Sequence, residues 1–270
     1  MKVLVVDVGG THVKVLATGQ KRPRKVDSGP TMTAQQMVDA AIAMSAEWEY
    51  EAVSIGYPGA IMHDRPVAEP HNLGPGWVGF DFEKAFARPV KVINDAAMQA
   101  LGSYNGGRML FLGLGTGLGS ALIIDGVIAP LELAHLPYRK GKTYEDYLGL
   151  RGLEWLGKKK WRAAVADVSK RLKAAMQAED LVLGGGDAKH LKVAPDGARL
   201  GDNANAFIGG YRLWQNLEGA DEGIRAWRRS SAQGKTKVTK ATAARVKAAK
   251  ARAAKARPLK KAARRPLKKG

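Results

Sequence analysis

Val3-Leu4-Val5-Val6-Asp7-Val8-Gly9-Gly10-Thr11-His12-Val13-Lys14-Val15-Leu16 decides how this chain is read. An apolar run stops at two glycines and a threonine and then restarts, the pattern of a strand, a tight turn and a second strand. Adjacent glycines open backbone conformations closed to other residues, so the amide N–H groups of the turn are expected to point inward and enclose an anion. Asp7 and Lys14 flank the turn with opposite charges. The design returns later, where Met109-Leu110-Phe111-Leu112 runs into Gly113-Leu114-Gly115-Thr116-Gly117-Leu118-Gly119 and emerges as Ser120-Ala121-Leu122-Ile123-Ile124.

Neither copy has P-loop spacing, and neither fits the dinucleotide fingerprint, which opens a helix rather than another strand. What remains is a phosphate chain clamped between two hairpins on facing lobes. Asp7-Val8-Gly9-Gly10-Thr11 resembles the first phosphate motif of the ROK-family sugar kinases, and Leu114-Gly115-Thr116-Gly117-Leu118-Gly119 their second. The resemblance runs over residues 1–217 and implies an α/β, two-lobed actin-like ATPase (ribonuclease H-like) fold. Its lobes are expected at 1–106 and 107–229, the last helix returning to the first lobe, with a tail at 230–270.

The tail holds the charge. Of a formal net charge of +19, fifteen Lys or Arg and no acidic residue fall in 231–270, leaving +4 for residues 1–230. It is rich in alanine, lacks aromatics, and repeats Arg257-Pro258-Leu259-Lys260-Lys261 as Arg265-Pro266-Leu267-Lys268-Lys269. So little apolar surface cannot offset ordering entropy, so the tail is expected to be disordered when free. The rest is long enough for a sizeable core. No cysteine is present, which excludes disulfides and thiolate metal sites and suits a reducing compartment. No signal-peptide pattern and no run of about 18 apolar residues occurs, so a cytoplasmic protein without a membrane partner is expected.

Between the hairpins, residues 33–48 read as a helix burying Met37, Ile42, Met44 and Trp48, residues 21–25 as an exposed turn, and residues 52–55 as a strand ending in Gly56-Tyr57-Pro58-Gly59. His71-Asn72-Leu73-Gly74-Pro75-Gly76-Trp77 is too rich in glycine and proline for helix; it either presents Asn72 and a flat Trp77 wall to a ligand, or anchors Trp77 in the core. Val90-Lys91-Val92-Ile93 is a strand, and Asn94-Asp95 precedes a helix. Asp95 is placed as an N-cap or as a general base that takes a proton from an attacking hydroxyl. Residues 158–177 read as a basic amphipathic helix, Asp180-Leu181-Val182-Leu183 as a strand entering the turn Gly184-Gly185-Gly186, and 203–217 as a closing helix.

The resemblance gives these residues roles. It implies a hexokinase-type transfer with Asp95 as base and with Asn72, Asn94, Glu132, His135 and Glu145 around the sugar. Donor phosphates are assigned to Asp7, Gly9, Gly10, Thr11, Lys14, Gly115, Thr116 and Gly117, the nucleotide side to Gly184, Gly185 and Gly186, and Mg²⁺ to Asp7. Glu132-Leu133-Ala134-His135 carries alanine where the family has glycine. Many members bind structural zinc through a cysteine-rich segment after this motif; without cysteine this chain is similar to the polyphosphate glucokinase branch, and no zinc is expected. The implied reaction moves a phosphoryl group from polyphosphate or ATP to the 6-hydroxyl of glucose or mannose, in a homodimer. The alternatives are an ATP-only ROK hexokinase, a catalytically dead sugar sensor, and a kinase-like protein held non-specifically on DNA by its tail. ROK repressors carry a helix-turn-helix ahead of the kinase-like part, whereas Met1 stands six residues before Asp7, so sequence-specific DNA binding is not expected. The tail's cations favour polyphosphate or nucleic acid through counterion release.

Overall fold

Val3–Val8 (β1) and His12–Ala17 (β2) pair antiparallel, with Asp7 opposite Lys14 and Val8 opposite Val13. The computed structural model describes residues 1–202 and 204–215; the basic stretch from 230 to 270 lies outside them. Arg24–Asp27 (β3) adds to the free side of β2, so Arg24 and Lys25 belong to an edge strand rather than to an exposed turn. Helix α1 (Ala34–Ser45) leads to Ala52–Tyr57 (β4), parallel to β1. A ribbon of Ile61–Met62 (β5) with Arg65–Pro66 (β6), and a short helix α2 (Phe82–Phe86), precede Val90–Asn94 (β7), which lies parallel to β4 and runs into α3 (Asp95–Ser103). The sheet order is β3-β2-β1-β4-β7.

The second half repeats this order. Arg108–Leu114 (β8), Leu118–Ile124 (β9) and Val127–Leu131 (β10) form an antiparallel meander. Its second turn has positive φ at both Asp125 (49°) and Gly126 (86°), the geometry that a two-residue hairpin requires. A 3₁₀ turn (Leu133–His135), a ribbon of Pro137–Arg139 (β11) with Lys142–Thr143 (β12), and helices α4 (Tyr144–Leu148) and α5 (Leu150–Ala175) come before Asp180–Gly184 (β13), parallel to β8. Arg199–Leu200 (β14) adds parallel to β13, and α6 (Asn205–Arg212) follows. This sheet runs β10-β9-β8-β13-β14, each strand matching its counterpart in the first.

Two helices differ from expectation for local reasons. Thr33 and Gln36 cap α1 reciprocally, each side chain bonding the other's backbone N–H, which fixes its start. It ends at Ser45 and buries Ala34, Met37, Val38 and Ala41, leaving Ile42 39% exposed. Met37 is buried as expected and Met44 and Trp48 pack, partly buried, against the same core, so of the four expected residues Ile42 is the one that faces away. Helix α5 begins eight residues before the expected 158 and breaks at Gly157, whose φ of 69° interrupts the helical run. Beyond the break Trp161, Val165, Val168 and Leu172 are buried as their spacing predicts.

Both sheets are covered on both faces. In β1, Leu4, Val6 and Val8 join one core while Val3 and Val5 join another; in β8, Leu110, Leu112 and Leu114 separate in the same way from Met109 and Phe111. The two-residue alternation of a strand explains the division, and double-sided burial explains why these strands read as unbroken apolar runs. The shared middle core holds α3 and α6. These helices cross at contact distance: a Cβ on Gly102 would run into the Asn205 carbonyl oxygen, and one on Gly209 into that of Met98. Buried Arg212 donates to the carbonyls of Leu101 (2.6 Å) and Tyr104 (3.1 Å), closing the end of α3. Among the described residues no helix is long and apolar enough to cross a membrane.

Gly209→Ala forces the two helices apart and is expected to lower the free energy of unfolding by about 2–3 kcal/mol, measured by urea denaturation. Wild-type stability in that variant would remove the close crossing from the account of the fold.

Candidate active site

The C-terminal ends of parallel strands, where backbone runs out into loops, are the places in an α/β sheet that hold ligands. Register sets Asp7 of β1 beside Gly56 of β4, and Tyr57 beside Asn94 of β7. Asp95 follows at once as the first residue of α3. A Cβ on Gly56 would strike the Met98 side chain, so glycine there lets the first turn of α3 settle onto β4.

Asn94, not Asp95, caps this helix. Its Oδ1 accepts from Ala97 N (3.1 Å) and its Nδ2 donates to the Gly59 carbonyl (3.1 Å). The amide therefore ties the Gly56–Gly59 turn to α3, with one N–H left for a ligand. Freed from capping, the Asp95 carboxylate accepts from its neighbour Ala96 N (2.7 Å). Burial, followed by the charges of Asp7 and, more weakly, Glu132, raises its carboxyl to about 7, against the opposing pull of the Ala96 N–H. Asp7 is 14% exposed and pairs through Oδ2 with Lys14 Nζ at 3.2 Å.

The second hairpin rests against this helix start, and the first packs against the loop carrying Asn72. A Cβ on Gly119 would come within 2.6 Å of Ala96 Cβ, so the second hairpin rests on the residue next to Asp95. On the other side, a Cβ on Gly10 would lie 2.9 Å from Asn72 Cβ, so the loop carrying Asn72 packs onto the first hairpin. None of Gly9, Gly10, Gly115, Gly117 and Gly119 has positive φ. Gly9, Gly10, Gly117 and Gly119 serve close approach rather than the unusual backbone conformations expected of them, whereas a Cβ on Gly115 would meet open space. Thr11 and Thr116 are exposed at the two turns.

The 71–77 loop is anchored by a residue that sequence reasoning missed. Glu69 accepts from Trp77 N (3.1 Å) and Val78 N (3.2 Å), and these backbone donors hold its carboxyl below the usual range against the opposing effect of burial. No motif marks Glu69; only the need of a glycine-rich loop for a partner for its N–H groups pointed that way. Trp77 is wholly buried against Tyr57 (5.5 Å between ring centroids) and Phe82 (6.4 Å). It anchors the loop and offers no wall to a ligand, while Asn72 is exposed.

Glu132 and His135 are both exposed, with Oε2 and Nε2 3.9 Å apart. Ser120 of β9 sets their turn, donating to the Leu131 carbonyl (2.7 Å) and accepting from Leu133 N (3.2 Å). Ala134 is buried in the 3₁₀ turn without positive φ, so alanine fits there unstrained. Glu145 sits elsewhere than a purely sugar-facing role implies: its Oε2 accepts from Leu118 N of the second hairpin at 3.2 Å. At the end of β13, Gly185 has φ 84° and no room for a Cβ against the backbone of Leu114, whereas Gly186 faces open space. The 184–186 turn thus lies at the base of the second hairpin. Asp7 suits Mg²⁺ as a single hard oxygen donor, because that ion is typically held by one or two carboxylates together with substrate phosphates.

Residues 3–130 match the ROK family model. A comparison with curated protein sequences gives no match. Among solved structures, the chain is similar to an inorganic polyphosphate/ATP-glucomannokinase from Arthrobacter sp. strain KM, with a TM-score of 0.67 and 23% identity over 77% of this chain and 96% of that one. It is similar also to a ROK family glucokinase from Streptomyces griseus in complex with glucose and AMPPNP (0.61, 18%, 79% and 99%). A ROK hexokinase from Thermus thermophilus gives 0.56 and 21%, over 78% and 96%. The fold is the one these proteins share.

A carboxyl raised from 3.8 to about 7 keeps a proton in the folded state that the unfolded chain has lost, so its effect on stability is unfavourable above about pH 7 and absent below about pH 4. Asp95→Asn is expected to raise Tm at pH 8 and to leave it unchanged at pH 3.5. In a ¹³C NMR titration Asp95 is expected to titrate near 7, and Asp7→Asn to move that midpoint down; an unmoved midpoint would contradict the Asp7 contribution.

Proposed function

We propose, on the match of residues 3–130 to the ROK family model, that the protein transfers a terminal phosphoryl group from inorganic polyphosphate or ATP to the 6-hydroxyl of glucose. The observation that carries this reading is Asp95, a carboxylate whose proton affinity is raised by burial and by the charge of Asp7, at a helix start on which the second glycine hairpin rests. A base whose pKa lies near the working pH both holds the right protonation state and drives proton removal.

In this reading the backbone N–H groups of the two hairpins, with the Thr11 and Thr116 hydroxyls, hold the donor phosphates. Lys14 fixes Asp7. Mg²⁺ bound at Asp7 would supply charge neutralisation to donor oxygens. Glu132, His135, Asn72 and the remaining N–H of Asn94 orient the sugar, and Asp95 takes the 6-hydroxyl proton as O6 forms its bond to phosphorus. The bond from phosphorus to the leaving phosphate oxygen breaks, and that oxygen departs with the electron pair. Such a transfer depends chiefly on positioning and charge stabilisation, which fits a site built from backbone donors. The sugar is glucose or mannose, and a cytoplasmic homodimer is the assembly this reading takes.

The test is glucose phosphorylation with Mg²⁺, comparing ATP with long-chain polyphosphate. Turnover with either supports the reading; turnover with ATP alone makes the protein an ATP-dependent hexokinase, and turnover with neither overturns it. Asp95→Asn is expected to lose about 10²–10⁴-fold in kcat while glucose still binds by calorimetry, and a variant with wild-type kcat would remove Asp95 from the role of base.

The fifteen cations of residues 231–270 favour an added role for the tail as a tether for a linear polyanion, whose binding weakens steeply with salt. Deleting residues 231–270 is expected to raise the KM for polyphosphate at low salt and to leave the KM for ATP unchanged. An unchanged polyphosphate KM, together with loss of a DNA gel shift in the deletion, would assign the tail to nucleic acid instead.

A further inference from the structure

Helix α5 begins on the second hairpin, where Leu150 N donates to the Gly115 carbonyl (2.8 Å), and restarts after the break at Gly157. Beyond the break it is fixed by Trp161, which is wholly buried and donates from Nε1 to the Leu148 carbonyl (2.9 Å). The next residue, Arg162, donates from Nε to the His190 carbonyl (2.7 Å), and further along Lys173 donates to the Gly197 carbonyl (2.7 Å). One side of α5 therefore lies along the segment that follows the 184–186 turn. That segment is rooted at the same place, because Gly185 packs against the backbone of Leu114 at the base of the second hairpin.

Both walls of this seam carry cations. Lys158 and Lys159 stand four and three residues before Arg162, on its face of the helix; Lys189 and Lys192 come from the facing segment, and all four are exposed. Among the described residues none of the four has an ion pair or a hydrogen bond from its ammonium group. The acid on this side, Asp187, is 14% exposed and stands 3.8 Å from His190, while Asp167 of α5 is held elsewhere by Tyr138, Arg139 and Arg171. Like charges gathered on two facing elements repel, and lysines at 158–160 in the first turn after the break run against the helix dipole. Stability favours neither arrangement, and an extended anion along the seam offsets both.

Resting on the kinase reading above, we infer that the seam between α5 and residues 186–192 binds the distal phosphates of a linear polyphosphate, those beyond the phosphates held at the hairpins. Position selects this anion: Gly186 faces open space at the hairpin's base, and the 3₁₀ turn Gly186–His190 leads from there to Lys189 and on to Lys192. A short donor ends at the hairpins, whereas a long chain continues into the seam. Each lysine that neutralises a phosphate releases counterions, and attachment along the chain raises the local concentration of its reactive end at the hairpins. The surface thus makes long chains better donors than short ones.

The experiment measures glucose phosphorylation by the full chain at low salt, with ATP, tripolyphosphate and long-chain polyphosphate as donors. The wild type is compared with a seam variant carrying Lys159→Ala, Lys189→Ala and Lys192→Ala. A second variant, with Lys21→Ala, Arg22→Ala and Lys84→Ala, removes the same charge from exposed positions elsewhere. All six side chains are exposed, so both variants are expected to keep the wild-type Tm. The seam variant is expected to raise the KM for long-chain polyphosphate roughly tenfold, with kcat and the KM for ATP and tripolyphosphate unchanged, and the second variant to behave as the wild type. An unchanged KM for the long chain, or an equal rise with tripolyphosphate or in the second variant, overturns the inference. So does a DNA gel shift lost in the seam variant alone while its polyphosphate KM stays put, which would give the surface to nucleic acid. Turnover with ATP but not with the long chain overturns the seam inference and leaves the protein a sugar kinase, whereas turnover with no donor overturns the kinase reading and this inference with it.

Discussion

The structure depends on how closely backbone can approach the first turn of α3. That turn is pressed by β4 at Gly56, by the second hairpin at Gly119 and, through the body of the helix, by α6 at Gly102 and Gly209. At each of these positions a single methyl group would collide with its neighbour. The consequence is positional: Asp95 cannot drift from its place beside the second hairpin without unpacking the middle core that joins the two sheets. Precision in the site is thus bought with glycine, which carries an entropic cost on folding.

Electrostatics at Asp95 set competing effects against each other. A carboxylate in the first turn of a helix is favoured by the helix dipole and by the Ala96 N–H. Burial and the neighbouring Asp7 oppose ionisation, and they win, since the carboxyl ends near 7 rather than below 4. Lys14 restrains this outcome by pairing with Asp7; without that cation the repulsion between the two aspartates would go further. The fold therefore holds one group in a state that costs stability at neutral pH, which is the expected signature of a site retained for its chemistry.

Much of this was legible in the chain, and the limits have physical causes. β1 and β8 read directly because strands buried on both faces leave continuous apolar runs, and β2 because buried Val13, Val15 and Ala17 alternate with half-buried His12, Lys14 and Leu16. β3 was hidden, since an edge strand of Arg24-Lys25-Val26-Asp27 needs no such run. The position of α1 was readable from Thr33 and Gln36, and its buried side follows its apolar spacing through Met37, Met44 and Trp48; only Ile42, 39% exposed, departs from it. At the site, the placing of Asp95 beside Asp7 follows from strand register, which local sequence does not encode. The division of labour in Asn94-Asp95, with capping by the first and a free carboxylate on the second, could not be separated by residue type, since both are good N-caps.

The two halves are built alike, yet one exchange between them makes the site asymmetric. At corresponding places in their hairpins, the first half pairs Asp7 with Lys14 and the second pairs Gly113 with Gly119. The charged pair in the first hairpin holds a carboxylate beside Asp95. Side chains of that size at the corresponding place in the second would stand where Ala96 packs, since even a Cβ on Gly119 does not fit. One hairpin thus contributes charge and the other contributes space, and α3 lies against the second with its acid beside the first. A symmetric pair carrying Asp-Lys in both would push α3 away, and one carrying Gly-Gly in both would leave Asp95 without the neighbouring charge that raises its proton affinity. Divergence at these four positions turns a repeated fold into a site with a single orientation.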